Sequence, residues 1–310
     1  MKRASFLATG AALSIQPARL VAQHLQTVRI GTAPTESYAL AWYAKEQGFF
    51  ARNGIDAQVL NIPGASGGVT AALVGGAIDV GCVSMGPTSN AHLRSIPIRL
   101  LAAGAIIRSE EPTTSLVVAK ASPITSARDL KGKVIGTIVL RDVITVSTAK
   151  WLDLHGGDST TVRFIEMPMT DAAPALVAGR IDAYALGEPF LTNSAGEVRI
   201  LGNIYDVLGS RVMISMHIAM ADWLGKNADA ARRVRTALSQ AARWANLNRQ
   251  AANVILARLT KIPLETVGKM KHVIYGEALD VAMIQPQIDA LAEYKYIDRR
   301  YDVSEIIWRG

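Results

Sequence analysis

Two hydrophobic periods alternate along the first third of the chain. Apolar positions recur at helical spacing over Tyr38–Arg52, with Gly54 behind them as a stop; Gln58–Ile62 then reads as a strand, Gly67–Val74 as a helix and Val80–Ser84 as a strand. Strands separated by helices in this way predict parallel sheets with helices on both faces. Beyond Trp223 the period becomes helical throughout. Val234, Ala237, Leu238, Ala241, Trp244 and Ala245 form one apolar stripe, Arg232, Arg235 and Arg243 lie off its centre, and Asn227 stands where an N-cap is needed.

The pattern occurs twice. Ala72-Leu-Val-Gly-Gly-Ala-Ile-Asp-Val80 returns as Ala175-Leu-Val-Ala-Gly-Arg-Ile-Asp-Ala183, six identities in nine at an offset of 103. The Ile-Gly-Thr of Val28–Thr32 returns within Lys133–Thr137 at an offset of 105. Both second strands run into Gly and Pro, as Ser84-Met-Gly-Pro87 and Leu186-Gly-Glu-Pro189. Two pairs in the same order point to duplication of one α/β unit and hence to two lobes. The expected division is a first lobe of residues 23–112 plus 223–310, discontinuous because the C-terminal helices pack back, and a second lobe of 113–222. A cleft between them would be bounded by the loops at the carboxyl ends of the strands, where open α/β sheets bind ligands.

Several residues fall at those strand ends. Pro63-Gly-Ala-Ser-Gly-Gly68 opens a helix, and such a turn either aims free backbone N–H groups at an anion or is an ordinary turn with Ser66 as N-cap. Gly64-x-Ser66-x-Gly68 also spells a nucleophile elbow, for which His217 or His272 would have to serve as base. In the second lobe Arg141, flanked by Asp142 and Thr145, either grips an anion through its two-pronged guanidinium or pairs with Asp142 at the surface. Glu188, in Gly-Glu-Pro at a strand end, either accepts from an amine or ring N–H of a ligand or is a solvated loop residue. Of the aromatic cluster Tyr38, Trp42 and Tyr43, Tyr38 at the helix start faces the inferred cleft. The histidines have no metal-ligand spacing and no phosphate-binding glycine motif occurs, so neither a metal nor a nucleotide cofactor is expected.

Composition narrows the setting. With 50% hydrophobic and 19% charged residues the chain is globular, and its longest apolar run, Leu100–Ile107, is far short of a membrane span. Lys2 and Arg3, the apolar stretch Ala4–Ile15 and the small residue Ala22 follow secretory-signal order, so cleavage near Ala22 and a periplasmic location are expected. Losing Lys2, Arg3 and Arg19 with that segment lowers the formal charge from +7 to +4. The remaining charges are scattered and only 6% of residues are aromatic, which argues against nucleic acid. Cys82, the lone cysteine, sits in an apolar strand and reads as a small core residue.

Taken together, Ala44-x-x-x-Gly48-Phe-Phe50-x-x-x-Gly54-Ile, Gly76-x-Ile-Asp79-Val, Asp129-Leu-Lys-Gly-Lys133, Gly179-x-Ile-Asp182-Ala and Ala221-Asp-Trp-Leu-Gly-Lys-Asn227 resemble the exported substrate-binding proteins of ABC importers in the sulfonate, taurine, nitrate and thiamine-precursor group. The resemblance spans roughly Val28 to Leu256 and implies a type II periplasmic-binding-protein fold, two α/β lobes with a ligand cleft between them. It further implies that ligand is held by Thr32, Ala33 and Pro34 after the first strand, by Ser66 and Gly67, by Ser84 and Met85, and by second-lobe loops at Thr137–Thr145 and Gly187–Pro189, Pro189 included. Val139-Leu-Arg141-Asp142 departs from the small hydroxyl residues or His that the group often carries there. The enzymes similar to this group carry a Cys-rich signature or a nucleophilic Cys after the first strand, where this chain has Thr32-Ala33. The expectation is therefore a monomeric, non-enzymatic protein that captures a small organic anion, sulfonate- or carboxylate-like, for an ABC permease. A nitrogen heterocycle such as a thiamine precursor is the alternative ligand, and a hydrolase or desulfinase using Ser66 or Cys82 the alternative chemistry.

Overall fold

The computed structural model describes residues 25–310, and the expected signal segment 1–22 lies outside them. β1 (Gln26–Thr32) is followed by α1 (Leu40–Glu46), α2 (Phe49–Arg52), β2 (Ile55–Asn61), α3 (Ala65–Val74), β3 (Val80–Val83), α4 (Met85–Leu93), β4 (Ile98–Ala103) and β5 (Ala105–Arg108). The single helix expected over Tyr38–Arg52 is broken. Glu36–Tyr38 is a separate 3-10 turn, and Gly48 at φ +69° parts α1 from α2, because a left-handed residue ends an α-helix.

The chain then crosses to β6 (Thr114–Ala119), β7 (Val134–Thr137), α5 (Val143–Leu154), β8 (Arg163–Glu166), α6 (Ala172–Val177), β9 (Ala183–Gly187), α7 (Phe190–Asn193), β10 (Val198–Gly202) and β11 (Arg211–Met213). Back across come β12 (Met216–Met220), α8 (Ala221–Lys226), α9 (Ala228–Leu247), α10 (Arg249–Thr260), α11 (Leu264–Lys269), β13 (Ile274–Tyr275) and α12 (Val281–Glu293).

The internal repeat is a repeat of topology. One sheet has the order β2-β1-β3-β12-β4 and the other, read the same way, β8-β7-β9-β6-β10. In each the first three strands are parallel and the fourth is antiparallel to both neighbours. The sheets are thus mixed rather than purely parallel, because the fourth strand of each is supplied by the segment that has just crossed between lobes and runs the opposite way. Since β12 lies in the first sheet, the return to the first lobe precedes Met216 and the boundary expected at 222 moves forward. At the crossing, β5 pairs with β11 and with the short β13, a strand in the region read as wholly helical.

One apolar core runs through the first sheet and on to one face of the second, taking Leu116 and Val118 of β6, while the alternate residue Val117 joins a smaller cluster with Ala172, Leu176 and Tyr184 on the opposite face. The long helix α9 buries Val234, Ala237, Leu238, Ala241 and Ala245 as its stripe requires. Asn227 does occupy its N-cap position, but the side chain donates to the Trp223 carbonyl at 3.0 Å and accepts from Gln26 at 3.1 Å instead of capping the helix.

Candidate functional site

The strand ends build the site. Thr32 closes β1, and its hydroxyl donates to the Tyr38 carbonyl, folding the intervening loop back over the strand. That loop presents Ala33, Thr35, Glu36, Ser37 and Tyr38 to a partly open cavity of about 50 Å3 between the lobes, with Ala65, Ser84 and Ile214 beside them. The facing wall is Thr113, Thr114, Ile138, Val139, Asp142, Val143, Ile144, Met169, Gly187, Glu188 and Tyr205. A water needs about 10–15 Å3, so the space between these walls is that of a few waters. Outside it a vestibule of about 360 Å3 is walled by Pro34, Ile62 and Pro63 on one side and by Met167, Pro168, Met169 and Phe190 on the other.

Ser66 sits behind the wall. The N-cap of α3 is Gly64, at φ +81°, so Ser66 is neither the cap nor exposed; it is fully buried as the second residue of the helix. Its hydroxyl is hydrogen-bonded to the Tyr38 phenol at 2.8 Å and accepts the Ser84 N–H at 3.1 Å, tying three strand-end loops together. The turn is tight enough to require glycine at 68, where a Cβ would lie 1.8 Å from the Pro63 carbonyl oxygen. Gly67 does not line the cavity.

Three carboxylates reach the cavity, each held by donors. Glu36, 1% exposed, accepts from His272 Nδ1 at 2.6 Å and the Val273 N–H at 3.1 Å, with Arg249 3.5 Å away. Glu188 accepts from the Thr192 hydroxyl at 2.8 Å and the Thr192 N–H at 3.0 Å. Asp142 accepts from the Ser84 hydroxyl at 2.6 Å, the Gly86 N–H at 3.0 Å and its neighbour Val143 N–H at 2.6 Å. Burial pushes the carboxyls of Glu188 and Asp142 above the usual range, against the pull of those hydrogen bonds; for Glu188 the charge of Glu36 adds to the rise. Burial, then the Asp142 charge, likewise holds Tyr38 as a neutral phenol.

Of the residues expected to touch ligand, Ala33, Tyr38, Ser84, Gly187 and Glu188 line this cavity and Pro34 lines the vestibule. Thr137 and Thr145 stand behind the 138–142 loop, where the Thr145 hydroxyl donates to the Val139 carbonyl at 2.6 Å. Met85 is core, and Pro189 is not among the lining residues. Arg141 turns away altogether. It neither lines the cavity nor pairs with Asp142; its guanidinium donates to the Tyr296 carbonyl at 2.9 Å, beyond the end of α12. Arg141 lies in the left-handed region at φ +55°, its side chain outside while that of Asp142 turns in.

Glu36, Thr113, Thr114, Tyr205 and Ile214 are lining residues that the sequence reading missed. Glu36 alone carried a signal, an acid four residues past the end of β1. Burial pushes the Cys82 thiol up to about 12 and the His217 imidazole down to about 4, and His272 is spent on Glu36.

The profile of the NMT1/THI5-like family matches residues 36–252, more than half of the chain. The chain belongs to the NMT1/THI5-like family. A curated relative, the 4-amino-5-hydroxymethyl-2-methylpyrimidine phosphate synthase of Schizosaccharomyces pombe, is 30% identical over 140 residues, 45% of this chain and 38% of that enzyme. The match therefore spans well under half of the enzyme's length. Among solved structures, the periplasmic aliphatic sulphonate-binding protein of Escherichia coli superposes with a TM-score of 0.73 at 20% identity over 92% of each chain. The periplasmic nitrate-binding protein of Synechocystis gives 0.73 at 17% identity, over 91% of this chain and 85% of that one. For this NMT1/THI5-like protein these likenesses establish the fold, the two-lobed α/β architecture of periplasmic binding proteins.

Proposed function

We propose that the protein is an exported solute-binding protein, working as a monomer, that closes its lobes over a small ligand and hands it to an ABC permease without covalent chemistry. The order of Lys2, Arg3, Ala4–Ile15 and Ala22 supports export. Closure follows from contacts on both walls, because a ligand that touches Thr35 and Glu188 together stabilises only the shut form. The engaged state of Ser66 and the raised thiol of Cys82 support binding over hydrolysis.

One observation carries the choice of ligand. The charged residues lining the cavity are Glu36, Asp142 and Glu188, with no Lys, Arg or His among them. Such a wall disfavours a further negative charge, and a donor seated beside Glu188 relieves the effect that Glu36 has on it, Glu36 itself being paired with His272 and Arg249. The ligand is accordingly an N–H-rich or cationic heterocycle of the aminopyrimidine kind, the alternative that the sequence offered, and the partial match to the pyrimidine phosphate synthase agrees with it. The second reading, a small sulfonate- or carboxylate-like anion, draws on the ligands named for the sulphonate- and nitrate-binding structures.

A thermal-shift panel separates the two. A ligand at about 100 times its Kd adds about 2.7 kcal/mol to the stability of the folded chain. 4-Amino-5-hydroxymethyl-2-methylpyrimidine is expected to raise Tm and methanesulfonate and nitrate to leave it in place; the reverse pattern establishes the second reading, and conversion of the bound compound establishes an enzyme.

A further inference from the structure

The first turn of α4 faces the other lobe, and its Ser84 hydroxyl and Gly86 N–H are both taken by Asp142. Ser84 is the N-cap of α4, yet its hydroxyl makes no bond to its own helix. It donates instead to Oδ2 of Asp142 on the other lobe, at 2.6 Å, while Oδ1 takes the Gly86 N–H at 3.0 Å. The remaining donors of that turn are few, since Pro87 has no N–H and the Ser84 N–H is given to Ser66. Asp142 is at the same time the N-cap of α5 and accepts from Val143 N–H at 2.6 Å. A single buried carboxylate thus lies between the positive ends of two helices, one from each lobe, in the position that suits a bound anion.

The approach is close. A Cβ on Gly86 would lie 2.5 Å from Asp142 Oδ1, 2.6 Å from its Cα and 2.8 Å from the Arg141 carbonyl oxygen, so glycine at 86 is what lets the carboxylate seat. Arg141 supports the same placement from outside, anchoring the loop to the Tyr296 carbonyl at 2.9 Å and leaving no cation beside Asp142.

We propose that Asp142 is the residue that sets the sign of the ligand: its carboxylate occupies the anion position at the start of α4, joined to Ser84 and Gly86, and so excludes small anions from the closed cleft. This rests on the reading of the cavity as one for N–H-rich ligands and gives that reading a residue that enforces it. Replacing the carboxylate by a shorter neutral side chain vacates the Ser84 and Gly86 donors for an incoming oxyanion.

The test titrates the whole protein, the Asp142→Ser variant and the shape-conserving Asp142→Asn variant with methanesulfonate, nitrate and 4-amino-5-hydroxymethyl-2-methylpyrimidine by calorimetry. The expected result is a gain in methanesulfonate or nitrate affinity of about tenfold or more in Asp142→Ser, with a smaller gain in Asp142→Asn. Loss of packing alone lowers affinity for every compound and does not change the order of preference. Asp142→Asn keeps the volume and decides the matter if Asp142→Ser does not fold. Pyrimidine binding by the unaltered protein with no gain of anion binding in either variant overturns the role of Asp142 and leaves the ligand class standing. Methanesulfonate binding by the unaltered protein at least as tight as by the variants, with no pyrimidine binding, overturns both.

Discussion

Asp79 holds Arg29 through three hydrogen bonds: its Oδ2 accepts the backbone N–H at 2.8 Å and Nε at 3.1 Å, and its Oδ1 takes Nη2 at 2.7 Å. The Asp79 N–H returns to the Arg29 carbonyl at 2.8 Å. In the second lobe Asp182 does the same for Val134, accepting its N–H at 2.9 Å and donating back to its carbonyl at 2.9 Å. Each aspartate thus ties the lead-in of one strand, β3 or β9, to the parallel strand beside it, β1 or β7. Asp79→Ala and Asp182→Ala are each expected to lower stability by about 1–3 kcal/mol, since each strands a backbone donor, and the Asn variants by less because an amide oxygen still accepts. Urea midpoints read this directly; alanine variants as stable as the parent would contradict it.

Gly86 controls closure independently of any ligand. Because its missing Cβ would stand 2.5 Å from Asp142 Oδ1, Gly86→Ala is expected to hold the lobes apart. Small-angle scattering should give a larger radius of gyration for the variant, and ligand affinity should fall by about tenfold or more. An unchanged radius and affinity would mean that the lobes do not meet here.

His217 makes the fold sensitive to acid. It is fully buried, its Nδ1 lies 3.1 Å from the Ala103 carbonyl, and burial lowers its pKa from 6.5 to about 4. The unfolded chain therefore takes up a proton near 6.5 that the folded chain refuses until about 4. The neutral ring's stability is fully present above the first value and is lost as pH falls toward the second, about 3 kcal/mol in all. His217→Asn, which keeps a donor for Ala103, removes this slope. Urea unfolding of both proteins at pH 7 and at about pH 4 tests it, and equal pH dependence in the two would contradict it.

Cys82 should be inert in the native protein. Its thiol is fully buried in β3 and pushed up to about 12, so too little thiolate forms at neutral pH to react. Iodoacetamide is expected to leave it unmodified until urea unfolds the chain. Rapid native labelling would revive it as a nucleophile.

Much of this architecture was legible because local chemistry imposes it. The Ile-Asp of each repeat recurs because a carboxylate just before β3 or β9 accepts an N–H of the parallel strand beside it, and α9 could be read because its apolar stripe packs along one face. The features that escaped depend on partners distant in sequence. Met216–Met220 is buried and carries no alternation, and its place is set by β3 and β4 more than a hundred residues earlier. Glu36 looks like a surface acid until His272 and Val273 arrive from the segment before β13 and Arg249 from the start of α10. Arg141 reads as an anion grip until the carbonyls at 295 and 296 claim it.

The central claim is that this cleft binds, unchanged, a ligand that donates to carboxylates. The most direct measurement is a calorimetric titration of the protein and of Glu188→Gln with 4-amino-5-hydroxymethyl-2-methylpyrimidine, followed by mass spectrometry of the recovered compound. The account predicts saturable one-to-one binding, recovery of the intact pyrimidine, and affinity weakened by about tenfold or more in Glu188→Gln, where a charged acceptor becomes a neutral amide. Equal affinity in the two proteins, no binding by either, or a chemically altered pyrimidine would contradict it.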